Sequence, residues 1–175
     1  MTKNELRQSF LARRNLLDEK MIFLFNTLLL DNLRTVLESL KPKSLGVFYP
    51  MQNEVDLRSL SQDYTLHYPD IVDKEIIYLK DISRFKEAVF NTTVPDHHDE
   101  TPLSEIDIII VPGIVFSKDF YRIGYGKGYY DKLLKKTNAL KIGVCFELFV
   151  LDNIPIESHD EAVDMIVTDQ RILKR

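Results

Sequence analysis

Ile106-Asp-Ile-Ile-Ile-Val111, running straight into Pro112-Gly113, is the stretch of this 175-residue chain that decides its fold. It is β-branched almost throughout and too short for a helix, so it reads as a strand of the buried kind found inside parallel sheets. Working outward, Leu45–Tyr49, Tyr64–Tyr68, Ile76–Leu79, Ile142–Phe146 and Met165–Thr168 are further short apolar runs of strand type. Helical segments lie between them, over about Val55–Gln62 and Tyr129–Lys136. Strands alternating with helices predict an α/β fold, a mostly parallel sheet with helices on both faces.

The chain before the first strand is helical. Thr2-x-x-Glu5 has the form of a capping box and predicts a helix that starts almost at the first residue. Leu6, Phe10 and Leu17 share one face of it; Lys3, Arg7 and Arg14, at i, i+4 and i+11, share a neighbouring face. A second helix is predicted over Glu19–Leu40, ended by Pro42, with Ile22, Phe25, Leu29, Leu33, Val36 and Leu40 as its buried stripe. Pro50–Asn53 reads as a turn and Pro95–Pro102 as a polar surface loop.

The length fits one domain, residues 1–175. Hydrophobic residues at 45% and charged residues at 29% exclude disordered and collagen-like chains. A single cysteine, Cys145, excludes an internal disulfide. Met21–Leu30 is too short and too interrupted to span a membrane, and its upstream acids are unlike a signal peptide. The expectation is a soluble, cytoplasmic protein, monomer or weak homodimer. A net charge of −4 argues against nucleic-acid and membrane partners. Charge is nevertheless segregated: Ser117–Lys136 holds six Lys/Arg and two acids, whereas Glu147–Asp164 holds six acids and no Lys/Arg. Such separation suits an anionic ligand at one segment and a cation at the other, or simply two solvated faces.

Three of the six glycines fall within Arg122-Ile-Gly-Tyr-Gly-Lys-Gly-Tyr-Tyr-Asp131. Glycine lets backbone N–H groups converge on a ligand with no Cβ in the way. A helix start at Tyr129 points at the same spot, and Lys127 and Arg122 supply cations, so the parts of a phosphate cradle are present. The pattern is neither the P-loop nor the dinucleotide fingerprint. A structural turn with a solvated lysine is the plainer alternative. Four of the eight tyrosines lie in Tyr121–Tyr130, enough to stack a flat heteroaromatic ring or to pack on the sheet.

These residues resemble a known family. Val111-Pro-Gly-Ile-Val-Phe116 with the glycine segment, together with Lys3-x-x-Leu-Arg7, Tyr49-Pro-Met-Gln-Asn-Glu-Val-Asp56, and Ile154-Pro155 followed by His159-Asp160 and Asp164, is similar to 5-formyltetrahydrofolate cyclo-ligases over nearly the whole chain. The chain departs from the family pattern at Asp70 and at Val94-Pro95. The resemblance implies a single α/β/α layered domain and the ATP- and Mg²⁺-dependent closure of 5-formyltetrahydrofolate to 5,10-methenyltetrahydrofolate, with reduced folate and ATP as the small-molecule partners. It implies ATP contacts from Lys3, Asn4, Glu5, Leu6 and Arg7, and from Arg122, Ile123, Gly124, Tyr125, Gly126, Lys127, Gly128, Tyr129 and Tyr130. Lys127, Arg122 and Tyr130 would serve catalysis. Folate would meet Tyr49 and Glu54, and the loop residues Tyr125, Gly126, Lys127, Gly128 and Tyr129. Asp131 and Asp160 would hold Mg²⁺, with Asp164 a weaker candidate.

Plainer roles stand beside these. Glu54 and Asp131 each suit a helix start, and Asp160 a solvated loop. Lys3 in a first helical turn faces the unfavourable end of the dipole unless an anion offsets it. His97-His98-Asp99-Glu100 lacks a third ligand at metal-site spacing and reads as a loop, as does His159. Related α/β folds also serve sugar-phosphate isomerases and acyl-CoA transferases, and a non-enzymatic folate- or nucleotide-binding paralogue would keep the loop.

Overall fold

The computed structural model of the chain describes residues 1–80, 85–87, 93–96 and 99–175. Helix α1 spans Lys3–Asn15 and opens on the expected capping box: Glu5 N–H donates to Thr2 Oγ1 (3.2 Å) and Thr2 N–H to Glu5 Oε2 (2.7 Å). Helix α2 spans Glu19–Leu40, with Asp18 Oδ1 capping Met21 N–H at 2.8 Å and Lys41 in the left-handed region (φ 52°) before Pro42. Leu29, Leu33 and Val36 are buried as predicted, but Leu30 and Leu37 join them, and Leu40, the last helical residue, is 42% exposed.

The strands are β1 Ser44–Gly46, β2 Thr65–Val72, β3 Glu75–Lys80, β4 Phe85–Glu87, β5 Thr93–Pro95, β6 Glu100–Thr101, β7 Ile108–Pro112, β8 Val115–Ser117, β9 Arg122–Ile123, β10 Leu140–Val144, β11 Val150–Leu151, β12 Met165–Val167 and β13 Ile172–Lys174. Eight of them form one sheet in the order β13-β12-β10-β7-β1-β2-β3-β6. The run β12-β10-β7-β1-β2 is parallel, while β13, β3 and β6 pair antiparallel at the two sides. The deciding stretch, as β7, sits inside this run with Ile108–Val111 buried.

The sequence reading missed three features. Residues 55–62 do not form an α-helix; only Arg58–Gln62 makes a 3₁₀ turn. Asn26 takes the backbone of Asp56 from both sides (Asp56 N–H to Asn26 Oδ1, 2.8 Å; Asn26 Nδ2 to Asp56 C=O, 3.2 Å), and Asp56 Oδ1 accepts Arg58 N–H at 3.0 Å. Side chains thus claim the backbone groups a helix needs. The strand starting near Tyr64 runs on through Pro69 to Val72 and turns back as β3 through Asp73 and Lys74, both at positive φ. Pro69 is tolerated because β1 ends opposite His67, leaving that side of β2 open. The segment read as a Pro95–Pro102 loop includes β6, which pairs with β3; His97 and His98 lie outside the described residues.

Helix α3, Tyr129–Lys136, matches its predicted bounds and packs against β3. Strands β8, β9 and β11 form a small second sheet in the order β11-β8-β9. Its anchor is Phe116, fully buried, whose ring occupies the space a Cβ would need at Gly113 and Gly143. That close fit fixes β8 on the main sheet, and β9 paired with β8 fixes the entry to the glycine loop.

Candidate active site

The three cations on one face of α1 touch three different loops, and this defines the site. Lys3 Nζ donates to Asp160 Oδ1 (2.7 Å) and Oδ2 (2.6 Å) and to Glu157 Oε2 (2.8 Å). These carboxylates are the anions that a first-turn lysine needs to offset the helix dipole. Burial alone would lower the Lys3 pKa, but the bonds to Asp160 and Glu157 outweigh it and raise it; the same contact holds Asp160 below its usual value against burial. Arg7 Nε donates to the Gly124 carbonyl at 2.7 Å and its NH1 to Asn4 Oδ1 at 3.1 Å. Arg14, 6% exposed, donates from NH2 to the Tyr125 hydroxyl (2.6 Å) and from NH1 to Glu54 Oε1 (3.3 Å).

The glycine loop leaves β9 and ends at α3. Gly126 (φ 87°) and Gly128 (φ 68°) take the left-handed backbone that favours glycine, and Gly128 is the N-cap of α3. At Gly124 and Gly128 a Cβ would meet nothing within 4 Å, whereas at Gly126 it would press on the Arg7 guanidinium at 3.1 Å. The loop is therefore held from one side by Arg7 and open on the other. Lys127 is exposed upon it, and Tyr125, 41% exposed as a whole residue, turns its hydroxyl inward to Arg14 and Glu54. Arg122 is buried: NH1 donates to the Glu161 carbonyl and NH2 to Asp131 Oδ1, both at 2.9 Å. Asp131, in the first turn of α3, serves as the counter-ion of Arg122 beyond any dipole role.

Glu54 lies at the other end of α1, its side chain 7% exposed. Oε1 accepts the Tyr125 O–H at 2.7 Å as well as Arg14, and Oε2 accepts Met51 N–H at 2.9 Å. Burial first, then Glu54, pushes the Tyr125 pKa up to about 12, so its proton stays in place to donate. Tyr49, packed against Tyr68, accepts from Arg58 NH1 at 3.1 Å. The Tyr130 ring lies 6.0 Å from the Arg122 guanidinium carbon, and its buried hydroxyl faces that of Tyr78, neither meeting another hydrogen-bond partner among the described residues. Burial is the chief reason both phenols are held well above their ordinary pKa.

The resemblance brings Mg²⁺ with it, and the donor set admits that ion in part. Asp131 and Asp160 are hard oxygen donors, the kind Mg²⁺ shares with phosphate oxygens. Asp131 Oδ1 is taken by Arg122 and by Glu161 N–H (3.3 Å), while no hydrogen bond among the described residues engages Oδ2. Both Asp160 oxygens hold Lys3, and Oδ2 also accepts Glu157 N–H at 2.7 Å. Glu157, His159 and Asp160 offer ligand atoms within 4.8 Å of one another.

Some residues implied by the resemblance are engaged in the fold itself. Glu5 is spent on the capping box, and Leu6 and Ile123 are in the core. Asp164 bridges strands, its Oδ2 accepting Lys141 N–H at 2.8 Å. Cys145 is buried. Among the described residues no helix is long and apolar enough to cross a membrane. Sequence reasoning gave Arg14 no role, although its spacing put it on the Lys3–Arg7 face.

Comparison with known proteins finds relatives over most of the chain. The profile of the 5-formyltetrahydrofolate cyclo-ligase family matches residues 1–169. The 5-formyltetrahydrofolate cyclo-ligase of Mycoplasma genitalium is 30% identical over 71% of this chain and 72% of its own. A probable 5-formyltetrahydrofolate cyclo-ligase of Schizosaccharomyces pombe is 34% identical over 43% of this chain, and the match spans 42% of that protein. The solved structure of the 5,10-methenyltetrahydrofolate synthetase of Aquifex aeolicus superposes with a TM-score of 0.87 at 31% identity, covering 99% of this chain and 93% of that one.

Proposed function

This chain belongs to the 5-formyltetrahydrofolate cyclo-ligase family, and from that premise we propose that it closes 5-formyltetrahydrofolate to 5,10-methenyltetrahydrofolate in the cytoplasm with cleavage of Mg-ATP to ADP and phosphate. The observation that carries the reading is the pairing, along one helix, of a glycine loop open to a phosphate with a buried carboxylate able to accept from a pterin. Arg7 holds the loop at Gly124 and Arg14 holds Glu54, so one rigid element sets their spacing.

A formyl oxygen is a poor leaving group. Transfer of the γ-phosphoryl to that oxygen makes it depart as phosphate once N10 attacks the formyl carbon; N10 loses its proton and the ring closes. Such a reaction asks mainly for positioning and charge neutralisation. Lys127, exposed on the loop, neutralises charge on the transferred group, and the loop N–H groups with Lys3 and Arg7 orient the phosphates. Arg122 acts from beneath, fixing Asp131 and the start of α3. Tyr129 and Tyr130 flank the loop, and Tyr49 with Glu54 receives the pterin edge. Asp131 and Asp160 would hold Mg²⁺, which neutralises phosphate charge when bound; Lys3 must then exchange Asp160 for phosphate oxygens.

The test is an absorbance assay for the methenyl product with purified protein, 5-formyltetrahydrofolate and Mg-ATP. Product that needs both ATP and Mg²⁺ is expected. Its absence with all components present would overturn the reading.

A further inference from the structure

We propose that Arg14 is a positioning residue for the pterin side of the site, acting through Glu54; this rests on the function proposed above. A cation in the last turn of α1 has an ordinary explanation, compensation of the helix dipole, and Arg13 beside it fits that explanation. Arg13 is exposed with its guanidinium over Phe10 at 4.8 Å. Arg14 instead turns inward, and both members of its pair with Glu54 have side chains only 7% exposed. Dipole compensation requires no such burial.

Three contacts fix the carboxylate from different directions. Arg14 NH1 and the Tyr125 hydroxyl both reach Oε1, Met51 N–H reaches Oε2, and Arg14 NH2 holds the Tyr125 oxygen at 2.6 Å. The turn carrying Glu54 is tied to the same place, because Asn53 Nδ2 donates to the Arg14 carbonyl at 3.1 Å. A carboxylate offers about four acceptor directions, so three are filled and one, on Oε2, is left. A donor edge that binds through both oxygens must therefore displace the Tyr125 O–H, while Arg14 keeps the carboxylate in register.

Arg14 also has a donor to spare. Its Nε is buried with no hydrogen-bond partner among the described residues. Arg14 lines, with Glu54, Phe48, Pro112, Gly113 and Phe146, a small cavity of about 20 Å³, room for roughly one water. The cavity lies beyond the ends of β1 and β7, where parallel sheets receive ligands. An unspent donor beside an aimed carboxylate is what a ligand-facing pair requires and a purely structural one does not.

The glycine loop backbone is anchored separately by Arg7, so the two cations divide the substrates between them. The experiment measures kcat and both KM values for R14M, R14K, E54Q and R14M/E54Q. R14M is expected to raise the folate KM roughly tenfold or more, with the ATP KM within about twofold. R14K keeps the charge but not the fork and should recover part of that loss. The double variant should be no worse than E54Q alone, since both act through one carboxylate. R14M/E54Q removes both buried charges, so with R14K it reads the effect even where R14M fails to fold: a double variant clearly worse than E54Q, with R14K at wild-type KM, overturns the proposal. So does a loss in R14M confined to kcat, or shared equally by the two KM values, since that marks a structural role. An E54Q enzyme with normal folate KM overturns the reading of Glu54 itself and takes the Arg14 role with it.

Discussion

The two ends of α1 make the same kind of contact in different settings. At the first turn Lys3 meets Asp160, but the pair shares its lysine with Glu157, whose side chain is 58% exposed. At the last turn Arg14 meets Glu54 with both side chains 7% exposed and a tyrosine wedged into the pair. An ammonium on a flexible stem can change partners at the cost of a few partly solvated bonds. A guanidinium fork buried with its carboxylate holds its geometry, because separating the two strands a charge away from water. The first-turn end of α1 is thus able to exchange ions, and the last-turn end keeps one carboxylate aimed; under the proposed function these are the phosphate and the pterin sides.

The largest effect that would sharpen this contrast lies at Lys127, on the loop between the two ends. Replacing it with alanine should cut kcat by about two orders of magnitude or more, the range for losing a group that meets charge as it develops. Turnover near wild type would remove Lys127 from the chemistry and leave the phosphate side with Lys3 and Arg7 alone.

Next in size is E54Q. The expected pattern is a folate KM raised by about tenfold with the ATP KM unaltered, since an amide accepts through only one of its two heavy atoms. The opposite pattern, ATP affected and folate not, would break the assignment of the two ends.

Much of this arrangement was legible in the sequence, for identifiable reasons. The capping box, the Pro42 stop and the switch from helical to strand periodicity are local signals, and α1, α2 and α3 follow them. The glycine loop stood out because three of six glycines crowd into it, and Gly126 and Gly128 indeed take positive φ. What was hidden depends on partners far along the chain. Residues 55–57 lose their helix to Asn26, about thirty positions away, which no local pattern announces. The β2–β3 turn uses Asp73-Lys74 at positive φ in place of the usual Asn-Gly, so hairpin chemistry gave no sign. Arg14 was visible as a face but not as a pair, because Glu54 and Tyr125 are 40 and 111 residues away.

Weaker effects are expected at the exchangeable end. K3M should raise the ATP KM several-fold, leave the folate KM alone, and lower stability by only about 1 kcal/mol, since the bonds it loses are partly solvated. Calorimetric unfolding beside the kinetics separates the two. The pH dependence follows from the raised Lys3 and lowered Asp160 values. Lys3 contributes fully below its ordinary 10.5, and the contribution goes as pH rises through the raised value; Asp160 contributes above its ordinary 3.8, and the contribution goes as pH falls through the lowered value. The stability that K3M removes should therefore be flat between those limits. A step near neutral pH would mean that another group holds the contact.

The smallest expected signal tests the locked end directly. Tyr125 is pushed up to about 12 from an ordinary 10, chiefly by burial and then by Glu54. Its neutral form therefore favours the fold fully below pH 10, and that contribution is lost as pH rises through the folded value. A near-ultraviolet phenolate titration should show Tyr125 ionising late, and Y125F should remove a late step and not the main one. Arg14 pulls the other way, since its bond to the phenol oxygen favours the ionised form. R14M should accordingly delay the Tyr125 step further. An earlier step in R14M would mean that Arg14 shields the phenol from water more than it attracts its charge, and the end of α1 described as locked would then depend on packing before electrostatics.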